Sequence, residues 1–124
     1  MNFGKSILSP NYFRNPDFTS RDSHNTAFKF VCANCQNELE VEYKSLIGEE
    51  WCWESNFDEK SLSEIKQFYL MNVVGKSPTG GFPAVIEFSC HHCQKDYLIY
   101  AGVDESSNSF YVVTLHGITE IIKD

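Results

Sequence analysis

Polar and apolar residues alternate along two stretches of the chain. Residues 38–43 (ELEVEY) place Leu39, Val41 and Tyr43 on one side and three glutamates on the other, the pattern of a half-buried strand. Residues 27–31 (AFKFV) alternate in the same way just before it. Further strands are predicted over 84–89 (AVIEFS), 95–101 (KDYLIYA) and 109–115 (SFYVVTL). The strand at 95–101 is apolar on both faces, so periodicity does not say whether Tyr97 and Ile99 or Leu98 and Tyr100 point inward. Phe28, Phe30, Val41, Ile86, Phe88, Leu98 and Val112 are the other core candidates. One helix is predicted from Ser61, where Ser61 and Glu64 fit a capping box and Leu62, Ile65, Phe68 and Tyr69 follow at helical spacing. Residues 75–83 (GKSPTGGFP) read as a loop and 104–108 (DESSN) as a turn. Gly117 is expected to end the last strand, leaving 118–122 (ITEII) as a short strand or helical turn. Residues 1–26, rich in Asn, Ser, Pro and Asp, read as an irregular arm.

Two of these strand pairs repeat. Slid by 58 positions, Phe30-Val31-Cys32-Ala33-Asn34-Cys35-Gln36 lies over Phe88-Ser89-Cys90-His91-His92-Cys93-Gln94, with Leu39 over Tyr97 and Val41 over Ile99. Each copy is strand, C-x-x-C turn, strand. Two thiolates on one tight turn can face one metal ion, and turn N–H groups can point at the sulfurs. One turn supplies half of a tetrahedral site and the second completes it, so Cys32, Cys35, Cys90 and Cys93 are the candidate ligands of a single ion. The alternative readings are buried free thiols or a redox pair, and a redox C-x-x-C prefers a helix N-terminus to a turn between strands. His91 and His92 align with Ala33 and Asn34, which cannot ligate, and read as exposed turn residues.

These paired turns resemble the zinc-ribbon family over roughly residues 28–43 and 86–101. The resemblance implies a mainly β (α+β) fold: a zinc-ribbon-like antiparallel sheet with one inserted helix. It also implies one structural Zn(2+) per chain, although the same four ligands suit iron. Residues 27–124 would be a single domain with an insertion at 44–83, and the two hairpins would meet about an approximate twofold. Zinc ribbons often carry Gly after the second cysteine, where this chain has Gln36 and Gln94; Asn37 is the residue expected to take a left-handed conformation.

The chain has 124 residues, 42% of them hydrophobic, enough for one packed core. Ten basic and seventeen acidic residues give a net charge of −7, with arginine only at Arg14 and Arg21. That balance disfavours a phosphate backbone and suits a basic protein partner. The start of the chain lacks the apolar stretch of a signal peptide, and no apolar run is long enough to span a membrane, so a cytoplasmic protein is expected. A four-thiolate shell leaves no open position, and no nucleophile–base pair or small-molecule site is evident, so no enzymatic activity is expected.

Chemistry of recognition is therefore sought in the insertion, where Glu49, Glu50, Glu54, Asp58 and Glu59 surround Trp51 and Trp53. The plain reading is a solvated loop with both tryptophans in the core and Cys52 buried between them. The sharper one is a docking surface of aromatic anchors in a negative field. Its concrete form is an immunity or antitoxin-type protein that neutralises a basic toxin. The alternative is a zinc ribbon associated with nucleic acid in transcription or RNA handling.

Overall fold

The computed structural model describes residues 1–8, 19–20, 27–71, 81–107 and 110–122. Most of them are in antiparallel strands: β1 (Asn2–Leu8), β2 (Thr19–Ser20), β3 (Ala27–Val31), β4 (Glu38–Glu42), β5 (Phe82–Ser89), β6 (Asp96–Ser107) and β7 (Phe110–Ile122). A helix, α1 (Glu59–Phe68), follows short 3-10 turns at Tyr43–Ser45, Glu49–Trp51 and Trp53–Asn56. The larger sheet runs β1-β7-β6-β5, with β2 also beside β7, while β3 and β4 form a separate two-stranded sheet. The fold is mainly antiparallel β with few helices, the class expected.

The β3–β4 register sets Phe28 opposite Val41 and Phe30 opposite Leu39, so one face of the hairpin is wholly apolar. Two strands alone are marginal in water, and this face needs cover. It packs on Ala84, Tyr97, Ile99, Ala101, Val103, Val113 and Leu115 of the larger sheet. The opposite face of that sheet carries Val85, Leu98, Tyr100 and Ile121, covered by Trp53, Ile65 and Tyr69. The sheet is thus the middle layer of three. Strand β6 lies between β5 and β7, which is why its apolar run has no solvent face: Tyr97 and Ile99 point to the hairpin, Leu98 and Tyr100 to the helix. Ile86, Phe88 and Val112 are only half-buried, whereas Leu39 and Val113 are fully inside.

Gly117 does not end a strand. Strand β7 continues through it, with Tyr100 opposite Gly117 and Ala101 opposite Leu115, so His116 is the extra residue of a β-bulge. The bulge reverses the alternation. Val113 and Leu115 face the hairpin before it, and the even-numbered Ile118 does so after it. Gly117 is small because the Tyr69 ring lies on it: an added Cβ would come 2.8 Å from Tyr69 Cε1. The Tyr69 hydroxyl then bonds Thr119 Oγ1 at 2.8 Å.

Other boundaries also differ from expectation. Residues 104–107 extend β6 rather than turning, and Phe82 and Pro83 open β5, an outer strand where a missing N–H is tolerated. Residues 75–80 of the predicted 75–83 loop lie outside the described residues. The helix begins earlier than Ser61: Asp58 is its cap, accepting the Ser61 N–H at 2.7 Å. Glu64 instead pairs with the Met1 ammonium at 2.6 Å. The segment read as an irregular arm opens with strand β1, which pairs with the far end of β7 from Asn2↔Ile122 to Leu8↔Ile118. Phe3 anchors it, stacking on Phe68 of the helix at 4.2 Å. Residues 9–18 and 21–26 of that arm lie outside the described residues.

His116 is fully buried beside Tyr100, and neither ring nitrogen has a hydrogen-bond partner among the described residues. Burial pushes it down to about 4. The unfolded chain takes up this proton near 6.5, so between those values the unfolded state binds more protons. This contribution is level above about pH 6.5 and is lost as pH falls toward 4. His116→Leu should remove it. In denaturant melts at pH 7 and pH 4.5 the parent should lose about 2–3 kcal/mol more than the variant, and equal losses would refute the assignment. Gly117→Ala should destabilise the fold by about 1–3 kcal/mol in the same assay at pH 7, because Tyr69 must move; an unchanged midpoint would show that the ring yields freely.

Candidate metal centre

Each C-x-x-C turn closes its hairpin with the same backbone bonds. In the first, Cys32 N–H donates to Asn37 O at 2.9 Å and Gln36 N–H to Cys32 O at 3.0 Å. In the second, Cys90 N–H donates to Lys95 O at 2.8 Å and Gln94 N–H to Cys90 O at 2.8 Å. Gln36 and Gln94 both have φ of 67°. They take the left-handed position themselves, so the expectation that Asn37 would do so is corrected. The strain is of order 1 kcal/mol per residue without glycine. Gln36 offsets part of it by donating from Nε2 to Ala33 O at 3.2 Å.

The β3–β4 hairpin packs on the sheet containing β5 and β6, and this brings the two turns together. Cys32 and Cys90 are fully buried, and Cys35 and Cys93 half-buried. Their four sulfurs all lie within 4.8 Å of one another. Cys32 Sγ is 3.7 Å from Cys93 Sγ, and Cys35 Sγ is 3.7 Å from Cys90 Sγ. Four thiolates around zinc at about 2.3 Å stand about 3.8 Å apart in a tetrahedron, so these distances fit one ion. Each close pair takes one cysteine from each turn, and exchanging the two copies of the repeat carries one pair onto the other. Among the described residues the metal-capable group consists of these four cysteines. His91 and His92 are exposed, with their rings 4.2 Å apart, and are not part of it.

The surroundings favour thiolate unequally. Burial pushes the Cys32 thiol up, but the Tyr97 hydroxyl, the N–H groups of Cys35 and Asn34, and the Cys93 thiol outweigh it and bring it to about 6. Asn37 lowers Cys35 through its backbone and its side chain, with Nδ2 3.3 Å from the sulfur. Cys90 moves the other way: burial raises it to about 11, and N–H groups of Cys93 and His92 offset only part of that. A bound cation would hold all four as thiolates, and protons would compete with it. Four sulfur donors fill a tetrahedral shell and leave no position for water, which is the arrangement of a structural site.

The acidic insertion is arranged differently from expectation. Trp51 and Trp53 do not share a side, because they sit in 3-10 turns of about three residues rather than on a strand. Trp53 is 2% exposed and packs on Phe57, while Trp51 is 77% exposed and leans on exposed Phe82 at 5.6 Å. Cys52 is exposed, not buried; desolvation and the nearby Glu49 and Glu50 push its thiol up. The carboxylates have local partners. Glu50 accepts the Gly48 N–H at 2.6 Å, Glu49 accepts from Asn56 at 3.4 Å, Glu54 pairs with Lys66 at 2.8 Å and Asp58 caps the helix. Glu59, in the first helical turn, is exposed. Sequence reasoning missed two residues. Phe82 was hidden in an apparent loop. Tyr97 carried a signal: it stands where the first copy of the repeat has Leu39, so it adds a hydroxyl at a buried position.

Compared with known proteins, the chain matches no family model, no curated sequence and no solved structure. The metal centre therefore rests on the repeat and on the four sulfurs. Elemental analysis of the purified protein should find one metal ion per chain. Cys32→Ser or Cys93→Ser should cost at least about 2 kcal/mol and lower Tm by roughly 8 °C or more. Full thermal stability in a metal-free sample would refute the structural role.

Proposed function

We propose that this is a non-enzymatic, cytoplasmic domain of zinc-ribbon type that binds a basic protein partner, with one zinc ion holding its two hairpins together. The observation that carries the partner is Trp51. A tryptophan 77% exposed and leaning on an exposed phenylalanine is an uncommon surface feature and a good anchor. Glu49, Glu50 and Glu54 flank it, in a chain of net charge −7. An apolar anchor ringed by carboxylates complements a partner with an apolar pocket and a rim of lysine or arginine. The concrete form of this reading is an immunity or antitoxin-type protein that covers a basic toxin and neutralises it. Paired C-x-x-C turns also occur in nucleic-acid-associated zinc ribbons, and this is the second reading; the scarcity of arginine weighs against it.

The closed sulfur shell supports the non-enzymatic part of the proposal, since it offers neither a bound water nor a vacant position. No helix among the described residues is long and apolar enough to cross a membrane.

Co-purification from the source cell, with the parent chain and Trp51→Ala compared, tests the proposal. One basic protein should dominate the parent sample, and its affinity should fall about thirtyfold in the variant while the melting curve stays unchanged. Equal retention by both chains would remove Trp51 from the interface. Salt-sensitive binding of random RNA or DNA at micromolar protein would favour the second reading instead.

A further inference from the structure

Tyr97 touches the metal centre without being a ligand of it. Its side chain is fully buried, and its Oη lies 3.1 Å from Cys32 Sγ and 3.0 Å from the backbone nitrogen of Ala33. A backbone N–H can only donate, so the hydroxyl oxygen accepts from Ala33. Its own proton is then left for the sulfur. A thiolate has no proton to return, so the direction of that bond is fixed once Cys32 is ionised. The ring itself is held in place, with Phe30 edge-on at 5.3 Å.

The repeat sharpens the point. The backbone bonds of the two turns match, but the corresponding side chains do not. Tyr97 of the second hairpin reaches Cys32 of the first turn, and the residue equivalent to Tyr97 is Leu39, which has no donor to offer Cys90. Asn37 donates to Cys35, and its equivalent, Lys95, pairs with Glu120 at 3.2 Å. Both side-chain donors named here therefore serve the first turn.

We propose that Tyr97 is a positioning residue for the metal: its hydroxyl hydrogen-bonds the Cys32 thiolate, orients that sulfur and strengthens the hold on the ion. This rests on the reading of the four cysteines as one metal site. A hydrogen bond to an ionised acceptor in a water-excluded site is stronger than one between neutral groups, and outer-shell donors of this kind typically change metal affinity by about tenfold or more. The bond also draws electron density from the sulfur, so it should be visible in the spectrum of a metal that reports on its thiolates.

The test is a Co(II) titration of the full chain as parent, Tyr97→Phe and Tyr43→Phe, followed by zinc competition with a chelator. Tyr43 is a second buried tyrosine of the same apolar cluster, packed on Phe28 at 5.2 Å, and controls for loss of a buried hydroxyl. Tyr97→Phe should move the thiolate-to-cobalt charge-transfer band to lower energy and weaken zinc binding about tenfold, while Tyr43→Phe changes neither. A band and affinity unchanged in Tyr97→Phe would overturn the proposal alone, as would an equal shift in Tyr43→Phe. A parent protein that gives no thiolate–cobalt band would overturn the metal reading itself, and this proposal with it. Should Tyr97→Phe not fold, NMR of the parent loaded with cadmium-113 decides. A slowly exchanging Tyr97 hydroxyl proton coupled to the cadmium supports the bond, and a proton in rapid exchange with solvent overturns it.

Discussion

Everything in this structure depends on the meeting of four sulfurs from two separate hairpins. The β3–β4 pair is too small to be stable alone; apolar packing, the sulfur cluster and the Ala33 N–H bond to the Tyr97 hydroxyl attach it to the larger sheet. Because each close sulfur pair takes one cysteine from each turn, the site cannot be completed by either hairpin alone. A cation there would tie a two-stranded layer to a five-stranded one at their turn ends, where apolar contact thins out and the exposed His91 and His92 begin. The apolar cluster of Phe28, Phe30, Leu39 and Val41 then continues the attachment along the strands.

The second constraint is the middle position of the larger sheet. It must be apolar on both faces, and β6 and β7 solve this in different ways. Strand β6 is simply apolar at every position from Tyr97 to Ala101. Strand β7 uses its bulge at His116 to change which residues face the hairpin and which face the helix. The bulge leaves a histidine buried without a partner among the described residues, a real cost in a protein interior. Next to it, Gly117 clears the space that Tyr69 fills, and so links the helix end to the sheet.

Legibility in the sequence followed how local each signal was. The C-x-x-C turns, the β3 and β4 alternation and the apolar run of β6 each lie within a few residues, and the structure has all three where they were read. Strand β1 was illegible because Asn2–Leu8 mixes Gly, Lys and Ser among its apolar residues, and its partner lies at the far end of the chain. The bulge could not be read because nothing in LHGI marks an extra residue; only the lone glycine hinted at a close approach. The expectation of both tryptophans in the core failed for Trp51, because Trp51 and Trp53 lie in two separate 3-10 turns broken at Cys52 and only Trp53 is turned inward. The meeting of the four cysteines was legible. The outer donors were not, because Tyr97 reaches across to the other hairpin's cysteine rather than to its own.

The crossed arrangement of the sulfurs also sets a clock. Cys32 and Cys35 leave the ribosome 58 positions ahead of Cys90 and Cys93. At synthesis rates of about 5–20 residues per second, the first pair waits roughly 3–12 s for its counterparts. During that interval it is a bare dithiol on a nascent hairpin, open to stray metals and oxidants. A longer delay applies to β1, paired from Asn2↔Ile122 to Leu8↔Ile118, whose place in the sheet exists only once β7 has been made. The sheet and the sulfur cluster are therefore completed late, and nearly together, once residues 82–122 have been made.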